Sequence, residues 1–123
     1  MADAGTVLSI TKINAKGEFV GGQLAAGWNL QLKAMSQWTK NLSFIDITNF
    51  PKEKFPVKTA DAMIRGSLQS LVGTLKEAQT DAAAPLWICG GDSSTIFNLL
   101  DQEKQEAFLH PNLVLEGMID ITK

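Results

Sequence analysis

The amino-terminal part of the chain carries a period-two pattern that gives way to helical spacing. Val7-Leu8-Ser9-Ile10-Thr11-Lys12-Ile13 is β-branched with partial apolar/polar alternation, and Asn14-Ala15-Lys16-Gly17 supplies turn chemistry before Glu18-Phe19-Val20. A β-hairpin is predicted. Gly21 and Gly22 suit a bulge or a close backbone approach, after which the strand resumes through Gln23-Leu24 and stops before Gly27. From Trp28 the apolar positions Trp28, Leu32, Met35 and Leu42 fall on one helical stripe, so the pattern predicts an amphipathic helix from about Gly27 to Lys40.

Pro51 and Pro56, with lysines around them, place a loop between Leu42 and Val57 that has room for a short strand at Phe44-Ile45-Asp46. The next helix has the clearest periodicity. Ala60, Met63, Ile64, Leu68, Leu71, Val72 and Leu75 repeat on one face, Thr59 stands where an N-cap belongs, and Asp61 complements the helix dipole in the first turn. Gly66 and Gly73 interrupt that helix at a cost of about 1 kcal/mol each relative to alanine, which implies close packing against another backbone or a ligand. After the loose stretch Gln79-Thr80-Asp81-Ala82-Ala83-Ala84, residues Pro85 to Cys89 read as a short apolar strand buried on both faces. Gly90-Gly91-Asp92-Ser93-Ser94 then leads into a helix from Thr95 through Leu100 and past Gln102, and Leu113-Val114-Leu115 reads as a last strand. The predicted order is hairpin, helix, helix, strand, helix, strand.

Composition narrows the class. A chain of 123 residues that is 45% hydrophobic and 20% charged matches one globular domain with a single core. The lone Cys89 sits in an apolar run as a buried hydrophobe and offers no disulfide framework, which fits a reducing, cytoplasmic location. A net charge of -2, with 11 basic residues scattered among 13 acidic ones, argues against nucleic acid as partner. Neither a signal peptide nor an apolar stretch of bilayer length is apparent, so no membrane partner is expected. His110 has no second ligand at metal spacing, and Asp101 to Glu106 reads as a solvated face or helix end.

Two segments are candidates for chemistry. In Gly90-Gly91-Asp92-Ser93-Ser94, glycines at the carboxyl end of a buried strand let backbone approach a nucleotide, and the following helix turns free amides toward an anion. An ordinary tight turn with Asp92 or Ser93 as N-cap accounts for the same residues. In Asp3-Ala4-Gly5-Thr6, a glycine beside a hydroxyl can wrap a phosphate while the carboxylate holds a cation, and a frayed terminus is the plain alternative. A dinucleotide fold of Rossmann type fits less well, because the spaced third glycine is missing and the opening hairpin is antiparallel.

Taken in order, Asp3-Ala4-Gly5-Thr6, Gly17 with Gly21 to Gly27, Thr39 and Leu42, Thr59-Ala60-Asp61-Ala62 with Gly66, Gly90-Gly91-Asp92 and Pro111 to Gly117 resemble the second half of type III pantothenate kinases. The likeness runs over nearly the whole chain. It implies a ribonuclease H-like α/β domain of the actin-like superfamily, residues 1–123 forming one unit with a mixed sheet, an antiparallel hairpin, later parallel strands and flanking helices. It further implies ATP and pantothenate as substrates, with Mg²⁺ and a monovalent cation, K⁺ or NH₄⁺, as cofactors. By the same resemblance Asp3 matches the cation-coordinating aspartate, Gly5 and Thr6 the ATP-contacting turn, Thr59 the pantothenate-contacting threonine, and Gly90, Gly91 and Asp92 the nucleotide-side loop.

Ala26 stands where the family usually carries proline and Thr11 where an acidic residue is common, and neither change removes an obvious ligand. The family's general-base aspartate and first phosphate loop are expected upstream of Asp3. A general base contributes about 10²- to 10⁴-fold in rate, so this chain alone is expected to be inactive. With Met1-Ala2 alone leading into Asp3, the sheet is expected to lose a member or borrow one. The expected partners are a second copy, forming a dimer, or an amino-terminal half; a non-catalytic nucleotide-binding or regulatory module is the alternative reading.

Overall fold

A computed structural model describes residues 1–45, 50–102 and 105–110. Five strands form one mixed sheet: β1 (Ala2–Ala4), β2 (Val7–Ile13), β3 (Phe19–Ala26), β4 (Leu86–Cys89) and β5 (Ala107–Leu109), in the order β3-β2-β1-β4-β5. The three helices are α1 (Trp28–Trp38), α2 (Thr59–Ala82) and α3 (Ser93–Gln102). β1 runs antiparallel to β2 and parallel to β4, and β4 runs parallel to β5. The predicted hairpin is present, with Gly17 at positive φ in its turn. Its register shifts between Lys12 and Ile13, which leaves Val20 as the extra residue on β3 beside Gly21.

Alternation sorts the sheet into two faces. Ala2, Ala4, Leu8, Leu86 and Ile88 point into one core with Trp28 and Leu32 of α1, Met63 to Leu75 of α2, and Ile96, Leu99 and Leu100 of α3. Trp28 also ties α1 to α2, donating its indole N–H to the carbonyl of Ile64 at 3.3 Å. Arg65 is buried with its guanidinium 4.9 Å from the ring centroid of Phe50 and bonded to Gln69 Oε1 at 2.9 Å, which fixes the loop ahead of α2 to that helix.

Several expectations are corrected. β1 keeps its place at the centre of the sheet despite its three residues, so the sheet loses no member. Trp87 is 44% exposed, because among the described residues the core lies on one face of the sheet; on the other face Trp87 stacks on Phe108 with centroids 4.8 Å apart. Lys58 is the N-cap of α2 and Thr59 its first helical residue, with no side-chain cap. The stretch from Gln79 to Ala82 continues α2, since Ala83 donates to the Gln79 carbonyl and closes the helix in a left-handed conformation. Helix α1 ends at Trp38, which is 85% exposed, while Leu42 still packs on the core from the following loop. Phe44 and Ile45 form no strand, and Asp46 lies outside the described residues, as does the strand predicted at Leu113-Val114-Leu115. β5 forms instead at Ala107–Leu109, a segment the periodicity did not mark.

Gly66 and Gly73 are also corrected. Both are exposed, and a Cβ at either would meet nothing within 4 Å. They are plain helix-weakening positions, so Gly66→Ala and Gly73→Ala should each raise unfolding free energy by roughly 0.5–1 kcal/mol in urea titrations.

Candidate nucleotide site

The carboxyl ends of β1 and β4 lie side by side because the two strands pair in parallel, Ala2 with Ile88 and Asp3 with Cys89. The chain leaving β1 turns through Gly5-Thr6 into β2, and the chain leaving β4 turns through Gly90-Gly91-Asp92 into α3. The backbone N–H of Asp92 donates to the Ala4 carbonyl at 3.0 Å, which locks the second loop against the first. Gly90 has φ +100, and a Cβ there would lie 2.5 Å from Asp3 Oδ1 and 2.7 Å from the Ala4 carbonyl oxygen. Only glycine allows that approach. The same Asp3 oxygen is 3.9 Å from the Cβ position of Gly5, so the carboxylate stands between the two glycine turns.

A third segment closes the cluster. Gly27, the N-cap of α1, donates to the Thr6 carbonyl at 2.9 Å, and a side chain on it would collide with the carbonyl oxygens of Gly5 and Thr6. At the start of α3, the Asp92 carbonyl accepts from Ile96 N–H at 3.2 Å, so Asp92 occupies the N-cap position. Ser93 holds the turn through its hydroxyl, 2.6 Å from the Gly90 carbonyl oxygen. The amino ends of two helices therefore abut the β1–β2 turn. Neither helix has an acidic residue in its first turn, which leaves the positive ends of both macrodipoles without a protein carboxylate inside that turn.

Asp3, Gly5, Thr6, Gly90, Gly91 and Asp92 are thus brought together. Thr59 is not joined to them by any hydrogen bond among the described residues; it sits exposed at the start of α2, the helix that Trp28 ties to α1. Gly27 and Ser93 belong to the cluster without having been singled out as site residues. The signal for Gly27 was a glycine directly ahead of a helical stripe, and for Ser93 its place in the Asp-Ser-Ser run. A cleft among the described residues lies elsewhere, at the opposite end of β1. The described residues include no group of three or more His, Cys, Asp or Glu side chains suited to a metal ion. No described helix is long and apolar enough to cross a membrane.

Partial burial pushes the Asp92 carboxyl above its ordinary range. The folded state thus disfavours the ionised form, and this group's contribution to stability is complete below its ordinary value of 3.8 and lost as pH rises through the raised folded value. Asp92→Asn should accordingly raise the melting temperature at neutral pH and leave it unchanged in acid below 3.8, as read by thermal unfolding at both conditions. Gly90→Ala should cost about 2–4 kcal/mol in chemical denaturation, through backbone strain and the clash with Asp3. Gly91→Ala is the control: its Cβ meets nothing within 4 Å, and the cost should stay below about 1 kcal/mol.

Comparison with known proteins shows which family the chain resembles. The chain is 31% identical to the type III pantothenate kinase of Chromobacterium violaceum over 98% of its own length and 52% of that protein's. It is 28% identical to the type III pantothenate kinase of Synechococcus elongatus over 96% of its length and 49% of the relative's. The chain therefore spans about half the length of the curated relatives it matches. In fold it is similar to a solved structure from Campylobacter jejuni, described as a conserved Baf family transcriptional activator, with a TM-score of 0.63 over 98% of this chain and 54% of that one at 21% identity. A family model for type III pantothenate kinase matches residues 1–81, from the Asp3 strand through most of α2, and the chain belongs to that family.

Proposed function

We propose that the chain is the carboxy-terminal half of an ATP-dependent pantothenate kinase, a ribonuclease H-like unit that holds the nucleotide and needs an amino-terminal half for turnover. The observation that carries this reading is the meeting of Asp3, the Gly5-Thr6 turn and the Gly90-Gly91-Asp92 loop, cemented by the Asp92-to-Ala4 backbone bond. Phosphoryl transfer depends mainly on positioning and on neutralising charge. The residues here suit that work: backbone amides at two helix ends, the Thr6 hydroxyl, and glycines that admit a phosphate close to the main chain.

The donor set also fits the implied cations. Asp3 presents a carboxylate oxygen against Gly90, in space that a Cβ would fill, and hard oxygen donors of this kind suit Mg²⁺ or a monovalent ion. Asp3 would hold the monovalent cation beside the phosphates, where the bound charge offsets that of the nucleotide. Thr6 would orient ATP, and Thr59 would contact pantothenate from the start of α2. The general base is assigned to the amino-terminal half. Val7, Leu24, Trp87 and Phe108, exposed at 41% or more, support a second polypeptide in the working assembly, either another copy or that half.

Mixing the chain with the separately expressed amino-terminal half of the Chromobacterium violaceum kinase and following phosphopantothenate formation tests the reading. The pair should turn over, the chain alone should not, and Asp3→Asn should slow the pair roughly 10²-fold. An assembled, soluble pair that binds ATP without transferring phosphate would instead identify a non-catalytic nucleotide-binding module.

A further inference from the structure

The two edges of the sheet differ. β5 is three residues long and offers another chain little to pair with. β3 runs over eight residues, Phe19–Ala26, and has no neighbour on its outer side among the described residues. Alternation shows which of its backbone groups face out. Met1 and Thr11 exchange both backbone hydrogen bonds, at 2.9 and 2.7 Å, so Thr11 and Ser9 turn to β1 while Leu8 and Ile10 turn to β3. The ladder partners of Leu8 and Ile10 are Ala25 and Gln23, which leaves the N–H and C=O of Gly22, Leu24 and Ala26 pointing outward. The Ala26 carbonyl agrees with that direction: it accepts from Gln31 Nε2 of α1 at 3.0 Å.

Side chains add an apolar stripe to this edge. Leu8 is buried on the helix side, so Val7, Ser9 and Leu24, which pairs with Ser9, stand on the other face of the sheet. Leu24 is 79% exposed, and Val7, its diagonal neighbour across the ladder, is 42% exposed. Toward the hairpin turn the register shift and the positive φ of Gly21 bend the strand, which limits a straight outer ladder to Gly22 through Ala26. A charge or a proline within that segment would block pairing with another chain, and β3 contains neither.

We propose that β3 is a homotypic pairing edge whose occupant is β3 of a second copy of this chain, running antiparallel about a two-fold axis at Leu24. The strand is self-complementary in that register. The two Leu24 residues exchange both backbone hydrogen bonds, and Ala26 of each copy donates to the Gly22 carbonyl of the other, so the Ala26 carbonyl keeps its bond to Gln31. The two Leu24 side chains stand directly opposite each other with a Val7 beyond each, which joins the exposed residues of both copies into one apolar stripe. No like charges meet along the pair, because Phe19–Ala26 carries none. The contact is isologous and continues one five-stranded sheet into another. It is narrower than the roughly 800 Å² per partner of a stable interface, so the association is reversible and concentration-dependent. The inference goes beyond the nucleotide-site reading and does not rest on it.

Sedimentation velocity of the full chain from about 5 µM to about 500 µM tests the proposal, a range that brackets weak contacts of this size. The unaltered chain should pass from monomer to dimer within it, and Leu24→Lys, which sets two like charges face to face, should stay monomeric throughout. Thermal unfolding should show the fold of Leu24→Lys intact, since the side chain is exposed. A second variant reads the register. Paired residues that exchange both bonds have Cα atoms about 5.5 Å apart, within disulfide range, so mild oxidation should link two copies of Leu24→Cys at least about tenfold faster than two copies of Trp38→Cys, a comparably exposed position outside β3. A chain that is monomeric over the whole range, a dimer that Leu24→Lys leaves intact, or equal linking rates would each overturn the proposal. Neither readout involves nucleotide or pantothenate, so a failure here is distinct from a failure of the kinase reading.

Discussion

The hydrogen-bond ladder of β1 joins the antiparallel half of the sheet to the parallel half, and its register governs everything built on it. Ala2 and Ala4 are small and buried, at 0% and 2% exposure, while Asp3 between them faces the other side. A slip of one residue would drive the Asp3 carboxylate into a core lined by Leu8 and Ile88, at a desolvation cost no neighbouring group offsets. The pairing of Ala4 with Leu8 and of Asp3 with Cys89 therefore fixes where the Gly5 and Gly90 turns meet. Packing and function share one constraint: the residues that keep the centre of the sheet apolar also aim Asp3 at the candidate site.

From that strand outward the fold is a chain of close approaches. Gly90 lets the β4–α3 loop lie on β1, Gly27 lets α1 start against the β1–β2 turn, and the Trp28 indole anchors α1 on α2. The first two contacts bring the amino ends of α3 and α1 against the β1–β2 turn. The carboxyl end of this one strand is thus where the β4–α3 loop and the amino end of α1 converge.

Much of this was legible in the order of residues. The hairpin, α1, α2, β4 and α3 followed from periodicity, and the Asp3-Ala4-Gly5-Thr6 and Gly90-Gly91-Asp92 motifs pointed to the family that the comparisons bear out. The misreadings have physical causes. Helical glycines at 66 and 73 looked like contact points, yet propensity alone cannot tell open space from a tight interface. Trp87 looked buried because its neighbours are apolar, but one-face burial with a stacked partner, Phe108, satisfies the same run. β5 escaped notice because Ala107–Leu109 is too short to carry a period, and its pairing with β4 is a long-range event.

By itself, the amino-acid sequence determined the types of the hairpin, α1, α2, β4 and α3, the apolar core face of α2 and the family, because these depend on local spacing and on motifs that survive in one dimension. Only the tertiary structure decided that Asp3 and Gly90, 87 positions apart, meet face to face. It alone placed Gly27 against Thr6. Those relations follow from strand register and parallel crossover, which are set by which backbone groups find partners across the sheet, and no stretch of sequence contains both partners.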